Sequence, residues 1–197
     1  MTRFSKCVSS LEALFGLTLD QAQRNGVRTY LRLLAKWDAR VNLTRVARTD
    51  DRLRFHFFES FWLAQRFLDP CHTIADVGSG AGFPGLAMQL YRPSLSVTLI
   101  ERNFKKTVFL KEVARALSLR ARIVHGEAET VADWEGIQLV TVRGLKPSPG
   151  LTEALADRRI PLLALHGEKL SESLKGRRWV RRERVPGSRR RYATLFG

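Results

Sequence analysis

Between Val27 and Val41 the apolar positions Val27, Tyr30, Leu31, Leu34, Trp37 and Val41 recur at helical spacing, so one face of a helix is buried there. The whole of Ser9 to Val41 reads as helical, with Thr18-Leu-Asp-Gln21 in the form of a capping box. Leu53, Phe57, Phe61, Ala64 and Leu68 repeat the pattern, behind Asp50 or Asp51 as the cap of a second helix. The period then shortens. Ile74–Val77, Leu95–Ile100, Ala121–His125, Gln138–Val142 and Ile160–Leu165 are apolar runs too short for helices and bounded by turn residues, so they read as buried strands. Between them, Lys105–Leu117 is expected as a helix with Val108, Phe109, Val113, Ala116 and Leu117 on its buried side, and Leu151–Ala156 as a shorter one. Trp179–Val185 and Tyr192–Phe196 are expected to close the sheet as an antiparallel pair around Pro186-Gly187. Strands alternating with helices define an α/β fold with a mostly parallel seven-stranded sheet. At 197 residues the expectation is one domain, 1–70 a helical extension and 71–197 the α/β core.

The first strand ends in Asp76-Val-Gly-Ser-Gly-Ala-Gly-Phe-Pro-Gly85. Gly78, Gly80 and Gly82 allow a sharp turn and the close approach of a ligand, Pro84 suits the first turn of a helix, and the N–H groups of the turn are expected to face polar or anionic ligand groups. A dinucleotide fingerprint would put its third glycine at Phe83; here it falls at Gly82. Gly-x-Gly-x-Gly two residues after an acid resembles the S-adenosylmethionine loop of class I methyltransferases, a Rossmann-like fold.

Charge narrows the partner. With 34 Lys+Arg against 19 Asp+Glu the formal charge is +15, which favours a polyanion, and nucleic acid leads. Arg24, Arg28, Arg32, Lys36 and Arg40 line one helical face, and eight arginines fall between Arg177 and Arg191. Cys7 and Cys71 have no metal-ligand spacing, so no metal is expected. The chain shows no signal peptide and no apolar run of about 18 residues, so the expectation is a cytoplasmic protein with no membrane partner and, by default, a monomer.

At the strand tips, Glu101 is placed to accept hydrogen bonds from ribose hydroxyls, and Gly126-Glu-Ala-Glu129 to recognise adenine edges. Arg143 is expected to hold the cofactor or the acceptor, or to pair with Glu129 or Glu101; Arg190 is expected to contact RNA or stand solvated. His56, among aromatics, reads as a buried structural histidine. The Asn/Asp-Pro-Pro-aromatic motif for exocyclic amines is replaced by Val142-Arg-Gly-Leu145, and Cys71 precedes the first strand, on the wrong side for a nucleophile. An acceptor needing little activation remains, such as guanine ring nitrogen 7, whose lone pair carries no proton. A catalytic base is then not required.

Asn42-Leu-Thr44, Arg54-Phe-His56 with Ser60, Asp76 to Gly85 and Lys105-Lys-Thr-Val-Phe-Leu110 together resemble the ribosomal RNA small subunit methyltransferase G family, also called glucose-inhibited division protein B. The resemblance implies methyl transfer from S-adenosylmethionine to ring nitrogen 7 of a guanine in the 530 loop of bacterial 16S ribosomal RNA, with the small ribosomal subunit as partner. It implies cofactor contacts at Gly78, Phe83, Ala128, Glu129 and Arg143, joined on the class I pattern by Ser79, Gly80 and Glu101. Val142, Gly144, His166 and Glu127 depart from the family's pattern. The competing expectations are a non-catalytic RNA-binding protein with the same fold and a small-molecule methyltransferase.

Overall fold

The computed structural model describes residues 2–131 and 133–197. It opens with two helices, α1 (Arg3–Phe15) and α2 (Gln21–Val41), where the sequence pattern predicts one. Gly16 takes a left-handed conformation, φ 64°, and ends α1. The capping box of α2 is Asp20 with Gln23, two residues beyond the one expected at Thr18: the Asp20 carboxylate accepts the Gln23 N–H at 2.7 Å and the Gln23 side chain accepts the Asp20 N–H at 2.8 Å. Arg24 is turned inward by an ion pair with Glu12 at 2.6 Å, which removes it from the basic stripe.

Helix α3 (Thr49–Arg52) has Arg48 at its N-cap, so Asp50 and Asp51 sit in the first turn instead of capping it. It passes into a π-helical turn, Leu53–Phe58, and then α4 (Glu59–Phe67). The wider turn fans consecutive side chains inward. Phe57 meets Tyr30, Phe58 meets Phe15 and His56 stacks on Phe83. Each fully buried phenylalanine here contributes roughly 1.5–3 kcal/mol.

Strands β1 (Thr73–Val77), β2 (Ser96–Glu101), β3 (Arg122–His125), β4 (Leu139–Arg143), β5 (Leu162–His166), β6 (Trp179–Arg184) and β7 (Tyr192–Phe196) form one sheet in the order β3-β2-β1-β4-β5-β7-β6. β1 to β5 are parallel and β7 runs antiparallel to both β5 and β6. Side chains alternate between two cores: Ile74, Val97 and Leu99 pack beneath the N-terminal helices, while Ala75, Val77 and Ile100 face the other side. The helices between the strands are α5 (Gly85–Tyr91), α6 (Phe104–Ala116), α7 (Ala128–Val131) and α8 (Pro149–Asp157). α5 begins with Pro84 at its N-cap, a residue earlier than the first turn. α6 buries Phe109, Leu110, Val113 and Ala114, whereas Val108 and Ala116 are exposed, contrary to the expected face. The helix is rotated to seat the 109/110 and 113/114 pairs on the core.

Candidate active site

The glycine turn is folded by Asp76. Its register opposite Thr141 lets Oδ1 accept the Thr141 hydroxyl at 2.9 Å, while Oδ2 accepts the Gly85 N–H at 3.0 Å across the turn. Burial pushes this carboxyl up to about 6, against the pull of those donors. At Gly82, φ is 85° and a Cβ would fall on the Tyr30 hydroxyl, which donates to the Ala81 carbonyl at 2.7 Å. Only glycine fits there. The sequence reading has the N–H groups of the turn facing a ligand; instead Gly78 and Ser79 donate to the Ile100 carbonyl at 2.9 and 3.2 Å, and Gly80 donates to Glu101 Oε2 at 2.8 Å. The tip of β2 lies within their reach, so the turn supplies space more than donors.

Beside it lies a cavity of about 520 Å3. Gly78, Gly80, Glu101, Ala128, Glu129 and Arg143 all line it. Ser79 does not: its side chain is buried, donating to the Asp76 carbonyl at 2.8 Å. Phe83 also lies behind the wall, stacked between Tyr30 and His56 with ring centroids 5.1 and 4.7 Å away. Arg190 is exposed in the connection between β6 and β7 and does not line the cavity. Glu101 is fixed by two backbone donors, Gly80 N–H on Oε2 and Asn103 N–H on Oε1, each at 2.8 Å. Its remaining lone pairs are available to a diol. The cavity is of a size that holds small molecules, its floor at Gly78 carries no side chain, and its acid is held at a strand tip; these features fit the nucleoside and amino-acid parts of S-adenosylmethionine.

Arg143, at the end of β4, has partners that the sequence did not suggest. It pairs with Glu59 at 3.8 Å and donates to His56 Nδ1 at 3.0 Å, in place of Glu101 or Glu129. Glu59 accepts a second guanidinium, Arg191, at 2.7 Å. Burial lowers Arg143 to about 10, with Glu59 opposing the shift; burial pushes Glu59 up while Arg191 and Arg143 pull it back. His56 is driven down to about 3 by burial and then by the nearby Arg143, Arg52 and Arg191. The imidazole is therefore neutral. Because Arg143 only donates, Nδ1 accepts and Nε2–H donates to Thr44 Oγ1 at 2.7 Å.

Of the positions expected to depart from the family pattern, Glu127 and Gly144 line this cavity, while Val142 and His166 line a neighbouring one. Glu127 pairs with Arg102 at 3.3 Å, Gly144 has φ 65°, and His166 reaches Thr194 Oγ1 at 2.8 Å, with burial lowering its basicity. Glu129 accepts the Ser148 hydroxyl. Cys7 and Cys71 are free thiols whose acidity burial weakens. Among the described residues no group of His, Cys, Asp or Glu could hold a metal, and no helix is long and apolar enough to cross a membrane.

A parallel sheet reversing at β1/β4, a glycine turn over a cavity and an acid at the tip of β2 define a class I, S-adenosylmethionine-dependent methyltransferase. A solved S-adenosylmethionine-dependent methyltransferase from Aquifex aeolicus shares this fold, with a TM-score of 0.58 and 18% identity over 74% of this chain and 92% of that one. The family model described as rRNA small subunit methyltransferase G matches residues 23–180. Proteins named ribosomal RNA small subunit methyltransferase G from Roseiflexus sp. (strain RS-1) and Halorhodospira halophila (strain DSM 244 / SL1) are 35% and 36% identical over 80% of this chain, covering 68% and 76% of their own lengths. The chain belongs to the rRNA small subunit methyltransferase G family.

Proposed function

We propose that the chain methylates ring nitrogen 7 of one guanine in the 530 loop of bacterial 16S ribosomal RNA, using S-adenosylmethionine. The observation that carries this reading is the pairing of the Gly78–Glu101 cavity with an Arg143 whose side chain is locked at its wall by Glu59 and His56. When bound, S-adenosylmethionine supplies a methyl group already made electrophilic by its sulfonium. Glu101 and Ala128 would hold and orient the nucleoside; Gly78 and Gly80 admit it closely. Arg143, at the end of β4 and on the cavity wall, would help hold the acceptor guanine. Nitrogen 7 carries no proton, so positioning in line suffices and no residue need remove one. The neutral, fully engaged His56 is in keeping with such a reaction, since it acts on Arg143 and not on the substrate.

The same reading places the reaction in the cytoplasm and treats the protein as one monomeric domain, 1–70 extending 71–197. A continuous hydrophobic cluster from Val8 to Ala193 supports the single domain. The test is incubation with labelled S-adenosylmethionine and small ribosomal subunits lacking the modification, followed by mapping of the labelled base. Label on nitrogen 7 of a single 530-loop guanine supports the reading, and label on another base overturns the target. Cofactor binding without labelled RNA favours the non-catalytic or small-molecule alternatives.

A further inference from the structure

A second concave surface lies outside the cavity just described. Between α2 and α6 runs a groove of about 380 Å3. Its floor is apolar: Trp37, Val41 and Val108, with Phe104 at its edge, 64% exposed at the first position of α6. Its rim is cationic, formed by Lys36, Arg40 and Lys105. The one carboxylate in the lining, Glu112, is already engaged by Trp37 Nε1–H at 2.7 Å and by Lys36 at 3.8 Å. Among the described residues Arg40 and Lys105 have no ion-pair partner.

The groove is tied to the candidate active site through three residues of chain. Glu101 accepts the Asn103 N–H at 2.8 Å, and the Asn103 side chain accepts the Lys106 N–H at 3.2 Å, which sets the start of α6. From that start Lys106 enters the cofactor cavity while Phe104 and Lys105 face the groove. An exposed aromatic ring, in T-shaped contact with His125 at 5.6 Å and bordered by unpaired cations, matches a ligand with flat faces and repeated negative charge. An acidic peptide would answer the cations but leave the ring face without a stacking partner.

We infer that this groove docks an unstacked nucleotide of the RNA substrate beside the target base, its base on Phe104 and its phosphates against Lys36, Arg40 and Lys105. The inference rests on the RNA methyltransferase reading above and names where that RNA runs.

The test compares wild type, Phe104→Ala and a Lys36→Ala/Arg40→Ala/Lys105→Ala variant for binding to unmodified 16S RNA transcripts over a range of salt, and for S-adenosylmethionine affinity. Phe104→Ala is expected to weaken RNA binding about tenfold with an unchanged salt slope. The triple variant is expected to flatten the slope by about 0.7 to 0.9 per lost phosphate contact. Cofactor affinity should stay within about twofold in both, because none of Lys36, Arg40, Phe104 and Lys105 lines the cofactor cavity. Wild-type RNA affinity in both variants, with wild-type methyl transfer intact, overturns the groove and leaves the activity standing. Loss confined to assembled subunits, with naked RNA bound normally, makes the occupant a ribosomal protein and also overturns it. A wild-type chain that neither binds nor labels RNA defeats the activity and the groove together.

Discussion

Arg143 donates to Nδ1 of His56 at 3.0 Å, and that bond joins two distant parts of the chain across the base of the candidate site. Through the other ring nitrogen, His56 reaches Thr44 at 2.7 Å, so the Asn42-Leu-Thr44 segment, the π turn and the end of β4 share one network. Stacking on Phe83 at 4.7 Å fixes the ring plane. His56→Phe keeps that stack but removes the acceptor and the donor. Its expected effects are a loss of about 1–3 kcal/mol in stability from the groups left unpaired, and roughly tenfold slower methyl transfer from a displaced Arg143. Denaturant unfolding and single-turnover transfer measure the two. Unchanged turnover would remove the positioning role.

The same histidine and Asp76 pull stability in opposite directions with pH. The His56 pKa falls from 6.5 to about 3 on folding, so the unfolded chain binds the extra proton between those values. The stability tied to neutral His56 is present above 6.5 and erodes as pH falls towards about 3, by several kcal/mol in total. For Asp76, raised from 3.8 to about 6, the folded chain binds the extra proton, so its contribution is present below 3.8 and is lost as pH rises through about 6. Asp76→Asn removes this second dependence. Relative to wild type, the variant should gain about 3 kcal/mol as pH is raised across that window. Urea melts at a series of pH values would show it; parallel curves would contradict the assignment.

The five parallel strands were legible because each lies in a short apolar run that ends at a turn, and the tips carrying Asp76, Glu101 and Arg143 could be placed from that alone. The network behind Arg143 was not. Glu59 looks like any surface acid of an amphipathic helix, and what buries it is the π turn, a change of helical period that residue spacing does not announce. Arg191 stands in a run of arginines, and a chain-order reading has no means of choosing it over Arg190. Nor was the orientation of the turn's N–H groups readable, since it depends on how closely the tip of β2 approaches Gly78 and Gly80. The signals for His56 were its place between aromatic residues and its position in the Arg54-Phe-His56 segment, and neither pointed to Arg143.

Gly82 and Tyr30 offer a test of the turn by a double substitution. A methyl group at Gly82 would meet the Tyr30 hydroxyl and lie 3.0 Å from Leu110 Cδ2, on a backbone with φ 85°. Gly82→Ala alone should cost about 2–5 kcal/mol from overpacking and left-handed strain. Tyr30→Phe alone should cost about 1 kcal/mol by losing the bond to Ala81. The double variant should cost less than the sum, because deleting the hydroxyl opens the space the methyl needs. Additive losses measured by thermal melts would mean that backbone strain, and not the hydroxyl, forbids a side chain there.

Glu101 should separate cofactor binding from RNA binding. Its oxygens each hold a backbone N–H at 2.8 Å, one from the glycine turn and one from the start of α6. The carboxylate therefore shapes both borders of the cavity that it lines. Glu101→Ala should weaken S-adenosylmethionine by about 10- to 100-fold, the range for losing hydrogen bonds to a charged group. Glu101→Gln should recover part of this, because its amide oxygen can keep one of the two backbone donors. RNA affinity at fixed salt should change little in either variant, since Glu101 is buried and lines the cofactor cavity, not the groove. Calorimetry with cofactor and filter binding with RNA would be compared on the same preparations. Equal loss of both ligands would show that Glu101 holds the fold of the β2 tip as a whole and would sink its assignment as the ribose acceptor.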